Sequence, residues 1–350
     1  MSELRHDPLT DRWVIISVER GARPIDTQPS EKKKSEFCPF CPGNEDQTPI
    51  PEIYAVLKDG HTRHSVLDRH YIHPNWLVRV IPNKYPALQP EVFLSREGIG
   101  IYDKISGLGA HEILIESPEH SVEIPLLPVQ QVVVIFNTIK LRMNDLEKNH
   151  YFRYLSLYKN KGESAGASLE HPHWQLNALP ITPSEVAREL HTSKVHYDKK
   201  ERCLICDILS QEIKSGERMV EANEAFVVLA PFSSRFAGEL LIAPSPHFHC
   251  HSFPGIDDKT IEMLAPVLQR TLARLMRKYN DPDYNITLHT APFFQRQKND
   301  HGKTIEEDYH WHLHIFPRIA KIAGFELGND CYINTVLPED VAKTLREAAV

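Results

Sequence analysis

The chain has 350 residues, 41% hydrophobic and 25% charged, with a formal net charge of −7 at neutral pH. That length supports a sizeable core and one or two domains, and the acidic balance supplies no global basic field for a nucleic-acid backbone. The N-terminal Met1-Ser2-Glu3-Leu4-Arg5 lacks the apolar run of a signal peptide, and no stretch approaches the ~18 apolar residues of a membrane span, so we expect a cytoplasmic protein without membrane or nucleic-acid partners.

In chain order, the first informative element is Cys38-Pro39-Phe40-Cys41, a Cys-x-x-Cys turn that Cys203 and Cys206 repeat later. In a cytoplasmic chain such pairs suggest metal sites more than disulfides or a redox couple. Cys250 and Cys331 read as ordinary free thiols. Residues 77–82 read as a buried strand ended by Pro82. About 22 extra residues near 88–109, with Gly98, Gly100, Gly107 and Gly109, fit a long excursion. Residues 111–120 then read as an apolar strand, a proline turn and His120. Apolar positions Val132, Ile135, Phe136, Ile139 and Leu146 predict an amphipathic helix over 129–146.

The loop 160–168 is short of bulk near its end, which permits backbone N–H groups to approach phosphate oxygens. It runs straight into His171-Pro172-His173-Trp174-Gln175. If that segment is extended, His171, His173 and Gln175 project from one face and Trp174 packs on the other. A polar stretch around 192–202 is the expected junction between halves. Beyond it come a strand ended by Pro231, a strand and proline turn leading to His247, a helix over 260–279, and His310-Trp311-His312-Leu313-His314.

The chain therefore repeats itself: Cys-x-x-Cys, strand, strand with terminal His, helix, His-x-His. The expected fold is α+β, with two tandem similar halves (1–190 and 195–350), each a mostly antiparallel sheet with a helix packed on one face. The repeat also sorts the histidines. His111 aligns with Gly238, whereas His120 aligns with His247. Cys38, Cys41, His120 and His171 would thus hold one tetrahedral zinc, and Cys203, Cys206, His247 and His310 a second, with His249 or Cys250 as substitutes for His247. Four protein ligands leave no open position for water, so neither site would be catalytic. His173 is left for chemistry. A neutral imidazole held on a pinned strand can attack an α-phosphorus without a general base, and Gln175 on the same face could donate to a phosphoryl oxygen.

His-Pro-His-x-Gln resembles the active-site motif of the galactose-1-phosphate uridylyltransferase family, in the histidine triad superfamily. The likeness extends over nearly the whole chain, through Arg12-Trp13-Val14-Ile15, Arg20 to Pro24, Pro82-Asn83-Lys84-Tyr85-Pro86, Asn160-Lys161-Gly162 and the tail Gly324-Phe325-Glu326-Leu327-Gly328 with Cys331-Tyr332-Ile333-Asn334. The resemblance implies a HIT-like fold, zinc, a homodimer with the site near the interface, and a ping-pong reaction of galactose metabolism. UDP-glucose would pass its uridylyl group to His173, and galactose 1-phosphate would take it to give UDP-galactose. It further implies nucleotide or phosphate contacts from Arg20, Arg23, Asn83, Asn160, Gly166 and Ser168, and hexose contacts from Lys321, Phe325 and Glu326. Trp174 departs from the family's small residue at that position, and the second half lacks the small-residue loop. The tail is also similar to ADP-glucose:phosphate adenylyltransferase, whose motif reads His-Ser-His, so Pro172 favours uridylyl transfer. A zinc-binding interaction module without catalysis is the reading from a different class.

Overall fold

The computed structural model describes residues 2–22, 37–64, 75–293 and 302–348. Two short strands open the chain, β1 (Glu3–Asp7) and β2 (Arg12–Ile16). The first half continues with β3 (Tyr54–Leu57), β4 (Thr62–His64), β5 (Trp76–Pro82), an exposed hairpin of β6 (Arg96–Ile99) and β7 (Tyr102–Ile105), and β8 (Ala110–Ile115). Helix α1 (Val129–Glu147), β9 (Tyr154–Lys161) and β10 (His173–Leu179) complete it. Helices α2 (Ser184–Lys200) and α3 (Leu204–Ser215) lead to β11 (Met219–Ala222), β12 (Phe226–Leu229) and β13 (Leu240–Pro244). Then follow α4 (Asp258–Tyr279), β14 (Tyr284–His289), α5 (Ile305–Asp308), β15 (His312–Pro317), α6 (Gly324–Asn329), β16 (Tyr332–Asn334) and α7 (Pro338–Glu347).

The two halves meet edge to edge. β9 pairs antiparallel with β14, from Tyr284 opposite Lys161 to Leu288 opposite Leu157. Eleven strands thereby form one sheet, ordered β11-β12-β13-β15-β14-β9-β10-β8-β5-β3-β4. Read outward from the seam, β9-β10-β8-β5-β3 matches β14-β15-β13-β12-β11. In the first half Ile81, Ile113 and Gln175 stand abreast, and in the second Leu229, Leu241 and His314 hold the same ranks.

Both expected helices form, α1 and α4, and they pack on each other and on one face of the sheet. Alternation along β10 drives Leu176 and Ala178 into that core beside Trp174 and turns His173 and Gln175 to the open face. Trp174 is fully buried, its ring edge-on to Phe136 at 5.8 Å. The family's small residue is thus replaced by an indole that fills space between sheet and helix, away from the reactive face.

The polar segment 192–202 lies mostly in α2, which ends where Glu201 takes positive φ and caps the last turn. The chain termini are also tied together. β2 pairs antiparallel with β1 and parallel with β16, so the N-terminal strands rest against the C-terminal tail rather than the half they precede. Among the described residues no helix is long and apolar enough to cross a membrane.

Trp174→Ala should cost about 3–5 kcal/mol of unfolding free energy through the cavity it leaves. Urea denaturation would measure the loss.

Candidate active site and metal centres

β10 begins at His173, so the nucleophile candidate is the first side chain anchored by the ladder. Its Nδ1 lies 2.8 Å from the His171 carbonyl. A carbonyl only accepts, so Nδ1 carries the proton and Nε2 keeps its lone pair. The ring is 5% exposed and edge-on to Phe40 at 5.4 Å. Burial lowers its pKa below that of a free imidazole, outweighing the hydrogen bond to His171, so the neutral form prevails at neutral pH.

His173 opens on a cleft of about 450 Å³. Phe37, Phe40, Ile81 and Ile113 give it apolar walls, while Asn83, Ser168 and Gln175 give it polar ones. Gln175 Oε1 receives the Tyr158 hydroxyl at 3.1 Å and lies 2.9 Å from His111 Nε2. With its oxygen so engaged, the amide NH₂ is the end left to donate into the cleft. The Asn83 amide nitrogen stands 3.0 Å from His111, and its oxygen caps the Tyr85 N–H. His111 thus organises the polar wall. The repeat had set it aside as a metal ligand, and nothing in its spacing signals this second role.

The loop before His171 behaves differently from expectation. The N–H groups of Ala165 and Ala167 donate to the Gly162 carbonyl, that of Gly166 to Glu163, and that of Ser164 to the Asp283 carboxylate at 2.8 Å. Three backbone donors are therefore used inside the loop and a fourth by Asp283, and Ser168 reaches the cleft. Gly162 is required sterically: φ is +83°, and a Cβ there would meet the Asp283 carboxylate at 1.8 Å. Asn160 accepts from Asn285 across the seam at 2.8 Å.

Cys38, Cys41, His120 and His171 converge as one donor group. Cys41 Sγ stands 3.2 Å from His120 Nδ1 and 3.6 Å from His171 Nδ1, and Cys38 Sγ is also 3.6 Å from the latter. A tetrahedral zinc with bonds of about 2.3 Å to sulfur and 2.05 Å to nitrogen needs S···N edges of about 3.5 Å. The donor set fits. His171 Nε2 is 2.8 Å from the Ser117 carbonyl, which fixes the tautomer that frees Nδ1 for metal. Burial, the largest influence, lowers the His171 pKa to about 4, so no proton competes for that nitrogen.

The second group is Cys203, Cys206, His249 and His310. Cys206 Sγ lies 3.2 Å from His249 Nδ1 and 3.4 Å from His310 Nδ1. His247 is not part of it. Measured from equivalent strand positions, His120 follows Ile113 by seven residues, while His249 follows Leu241 by eight and His247 by six. A 3₁₀ turn over Pro246–Phe248 takes up the difference and leaves His247 exposed. The substitute residue foreseen at 249 occupies the place. Cys250 instead donates to the Ser252 carbonyl.

A third group joins two histidines of the 310–314 run to residues with no sequence signal: Glu189, His289, His312 and His314 lie within reach of one ion, all buried but the half-buried His289. His289 Nδ1 is 2.7 Å from Glu189. Burial would raise that carboxyl, but His289 and His312 outweigh it and hold it well below the usual range. Helix α2 and strand β14 supply Glu189 and His289 from far apart in sequence, which no short motif could show.

The remaining expected contacts are scattered. Arg20 is exposed on the 3₁₀ turn Val18–Ala22, whose Gly21 lies against Thr335 of the tail. Arg23 lies outside the described residues. Gly166 sits in the loop in a left-handed conformation, without crowding. Lys321 and Glu326 line a separate small recess with Phe236 and Tyr332, and Phe325 is 42% exposed.

A family model described as galactose-1-phosphate uridyl transferase, N-terminal domain, matches residues 77–183. The chain is 35% identical to an Arabidopsis thaliana protein named ADP-glucose phosphorylase, over 99% of this chain and 93% of that one. It is 28% identical to a galactose-1-phosphate uridylyltransferase of Thermotoga maritima, over 100% and 99% of the two chains. Among solved structures, an A. thaliana ADP-glucose phosphorylase with bound ADP-glucose superposes with a TM-score of 0.81 at 33% identity, covering 100% of this chain and 99% of that one. A structure named uridylyltransferase gives 0.73 at 26% identity, covering 99% and 98%.

The two Cys/His groups predict a direct outcome. In protein purified without chelator, His249→Ala should lower the metal content by one ion per chain while His247→Ala leaves it unchanged, by elemental analysis. Stripping metal with a strong chelator should lower the unfolding temperature, because ligation free energy is folding free energy.

Proposed function

The chain belongs to the galactose-1-phosphate uridylyltransferase family, a family of transferases, and we propose that it moves a nucleotidyl group through His173. One observation carries this reading: a buried, neutral imidazole with its Nε2 lone pair free and its Nδ1 proton held by a carbonyl, at the wall of a cleft of nucleotide size. Nε2 would attack the α-phosphorus of a nucleotide sugar. The bond to the departing hexose 1-phosphate breaks, and that oxygen keeps the electron pair. An acceptor oxygen would then displace the imidazole, returning it neutral. Gln175 would donate its NH₂ to a phosphoryl oxygen in both displacements. Zinc in the first Cys/His group would fix the start of the strand that carries the nucleophile, zinc in the second would fix the matching strand β15, and neither would take part in the chemistry.

Our first reading of the substrates is UDP-glucose as donor and galactose 1-phosphate as acceptor, giving UDP-galactose. Pro172 between the histidines supports it. A second reading has ADP-glucose as donor and phosphate as acceptor. The 35% identity to an ADP-glucose phosphorylase supports that one. We read the enzyme as cytoplasmic, a reading supported by six free cysteines.

Lys321, Phe325 and Glu326 do not line the cleft of their own chain. For the tail to read the hexose it must serve a second copy, and this supports a homodimer in which each cleft is completed by its partner.

Two experiments test these readings. Protein incubated with α-³²P-labelled UDP-glucose or ADP-glucose and then denatured should retain label, and His173→Ala should retain none. Label from UDP-glucose that galactose 1-phosphate discharges supports the first reading; label from ADP-glucose alone, discharged by phosphate, establishes the second. Mixing inactive His173→Ala with impaired Glu326→Ala and allowing subunits to exchange should restore activity to about a quarter of all sites, since half the dimers are mixed and each holds one intact pair.

A further inference from the structure

The second half holds a cavity of about 590 Å³ that the proposed transfer does not use. Its place in the fold repeats that of the catalytic cleft. In the first half, Pro39 and Phe40 follow Cys38 and wall the cleft, with Ile81, Ile113 and Gln175 abreast across three strands. In the second half, Leu204 and Ile205 follow Cys203 and wall the cavity, with Leu229, Leu241 and His314 at the same ranks. Asn83 follows Pro82 at the rim of one, and Phe232 follows Pro231 at the rim of the other. We infer that this cavity is a second nucleoside-binding site, one that holds a base and ribose without chemistry.

Three features fix the ligand class. Aliphatic side chains at Leu204, Ile205, Leu229 and Leu241 form walls suited to a flat ring. His314, 7% exposed and also a member of the third donor group, has a ring nitrogen, Nδ1, with no hydrogen-bond partner; it lies 3.7 Å from Glu239, another lining residue. A buried polar atom of this kind calls for a partner that a ligand can supply. Charge argues against a nucleotide. Arg218 is held by Glu212 and Glu339, and Arg235 by Glu185, so neither guanidinium is left over for a phosphate. The nucleophile is absent as well. His312 occupies the rank of His173, but it does not line the cavity and sits with Glu189 in the third donor group.

This inference rests on reading the first cleft as the nucleotide site, and its test separates the two. Equilibrium dialysis of the full-length, metal-replete protein against tritiated adenosine and tritiated uridine should detect a site that persists in Ile113→Trp, where the catalytic cleft is filled. Leu241→Trp should remove that site and leave nucleotidyl transfer unchanged. Loss of all nucleoside binding in Ile113→Trp, with Leu241→Trp binding like the wild type, overturns the inference. Failure of the catalytic reading looks different: no label on His173, with nucleoside still bound in Ile113→Trp. Should either variant fold poorly, wild-type crystals soaked in adenosine or uridine decide the matter. Nucleoside density between Leu229 and Leu241 supports the site, and an empty cavity at saturating soak overturns it.

Discussion

Lys159 is a charged side chain with no exposure at all, placed at the middle of an eleven-stranded sheet. Its strand lies between β10 and β14, so it stands opposite Trp174 on one side and Ile286 on the other. Glu116 at 2.5 Å and Glu123 at 3.1 Å hold its ammonium. Burial opposes the charge, but the two carboxylates more than offset it, so the lysine stays protonated. An ion buried this deeply is stabilising only while all its partners remain; removing one typically costs about 3–5 kcal/mol. The site above inherits that constraint. Glu116 ends the segment after β8, and β10 runs between β8 and β9, so the pair spans the strand that carries His173. The backbone of the same residues continues the clamp: Glu116 N–H reaches the Pro172 carbonyl, and the Ser117 carbonyl receives His171.

Duplication explains how one fold supports two different centres. Both halves place a Cys-x-x-Cys turn, a histidine after a strand, and a His-x-His strand around a donor group with S···N spacings near those of a zinc tetrahedron. In both, the second histidine of the pair bonds Nδ1 to the carbonyl of the first, at 2.8 Å for His173 and 3.0 Å for His312. Surroundings then separate them. His173 meets an open cleft, whereas His312 meets Glu189 and two further histidines. The same local geometry yields an imidazole at an open cleft in one place and a closed donor group in the other. The difference comes from α2 and β14, which deliver Glu189 and His289 only to the second half.

Local patterns in the sequence carried far. If extended, the i, i+2 spacing of His173 and Gln175 puts both on one face, as β10 does, and the 3.6-residue period over 129–146 fits a helix facing a sheet, as α1 is. Features that depend on where chain ends or distant strands travel were not legible. His249 displaces His247 because one residue of extra turn length shifts the return of the chain. The donors of the 162–168 loop are consumed by Asp283 and by the loop's own carbonyls, and Asp283 sits more than a hundred residues away in sequence. Nor does any spacing announce that β9 and β14 fuse the halves into one sheet, or that the tail residues settle beside Phe236 rather than beside His173.

The environment of His173 serves opposite needs at successive moments of the proposed transfer. Before attack the ring must be neutral, and burial ensures this by disfavouring the imidazolium. Once Nε2 bonds to phosphorus the ring carries positive charge, and the same low-dielectric surroundings would then destabilise it. One feature of the strand offsets that cost without restoring a proton to Nε2. The His171 carbonyl accepts from Nδ1 in both states and bonds more strongly to the charged ring. Beneath the strand, Lys159 opposes a cationic ring more than Glu123 favours it, so the buried cluster adds to burial in keeping the ring neutral before attack and works against over-stabilising the charged ring. A covalent intermediate that must both form and decay needs that balance. A site that stabilised the charged ring strongly would hold the nucleotidyl group and slow its release to the second acceptor.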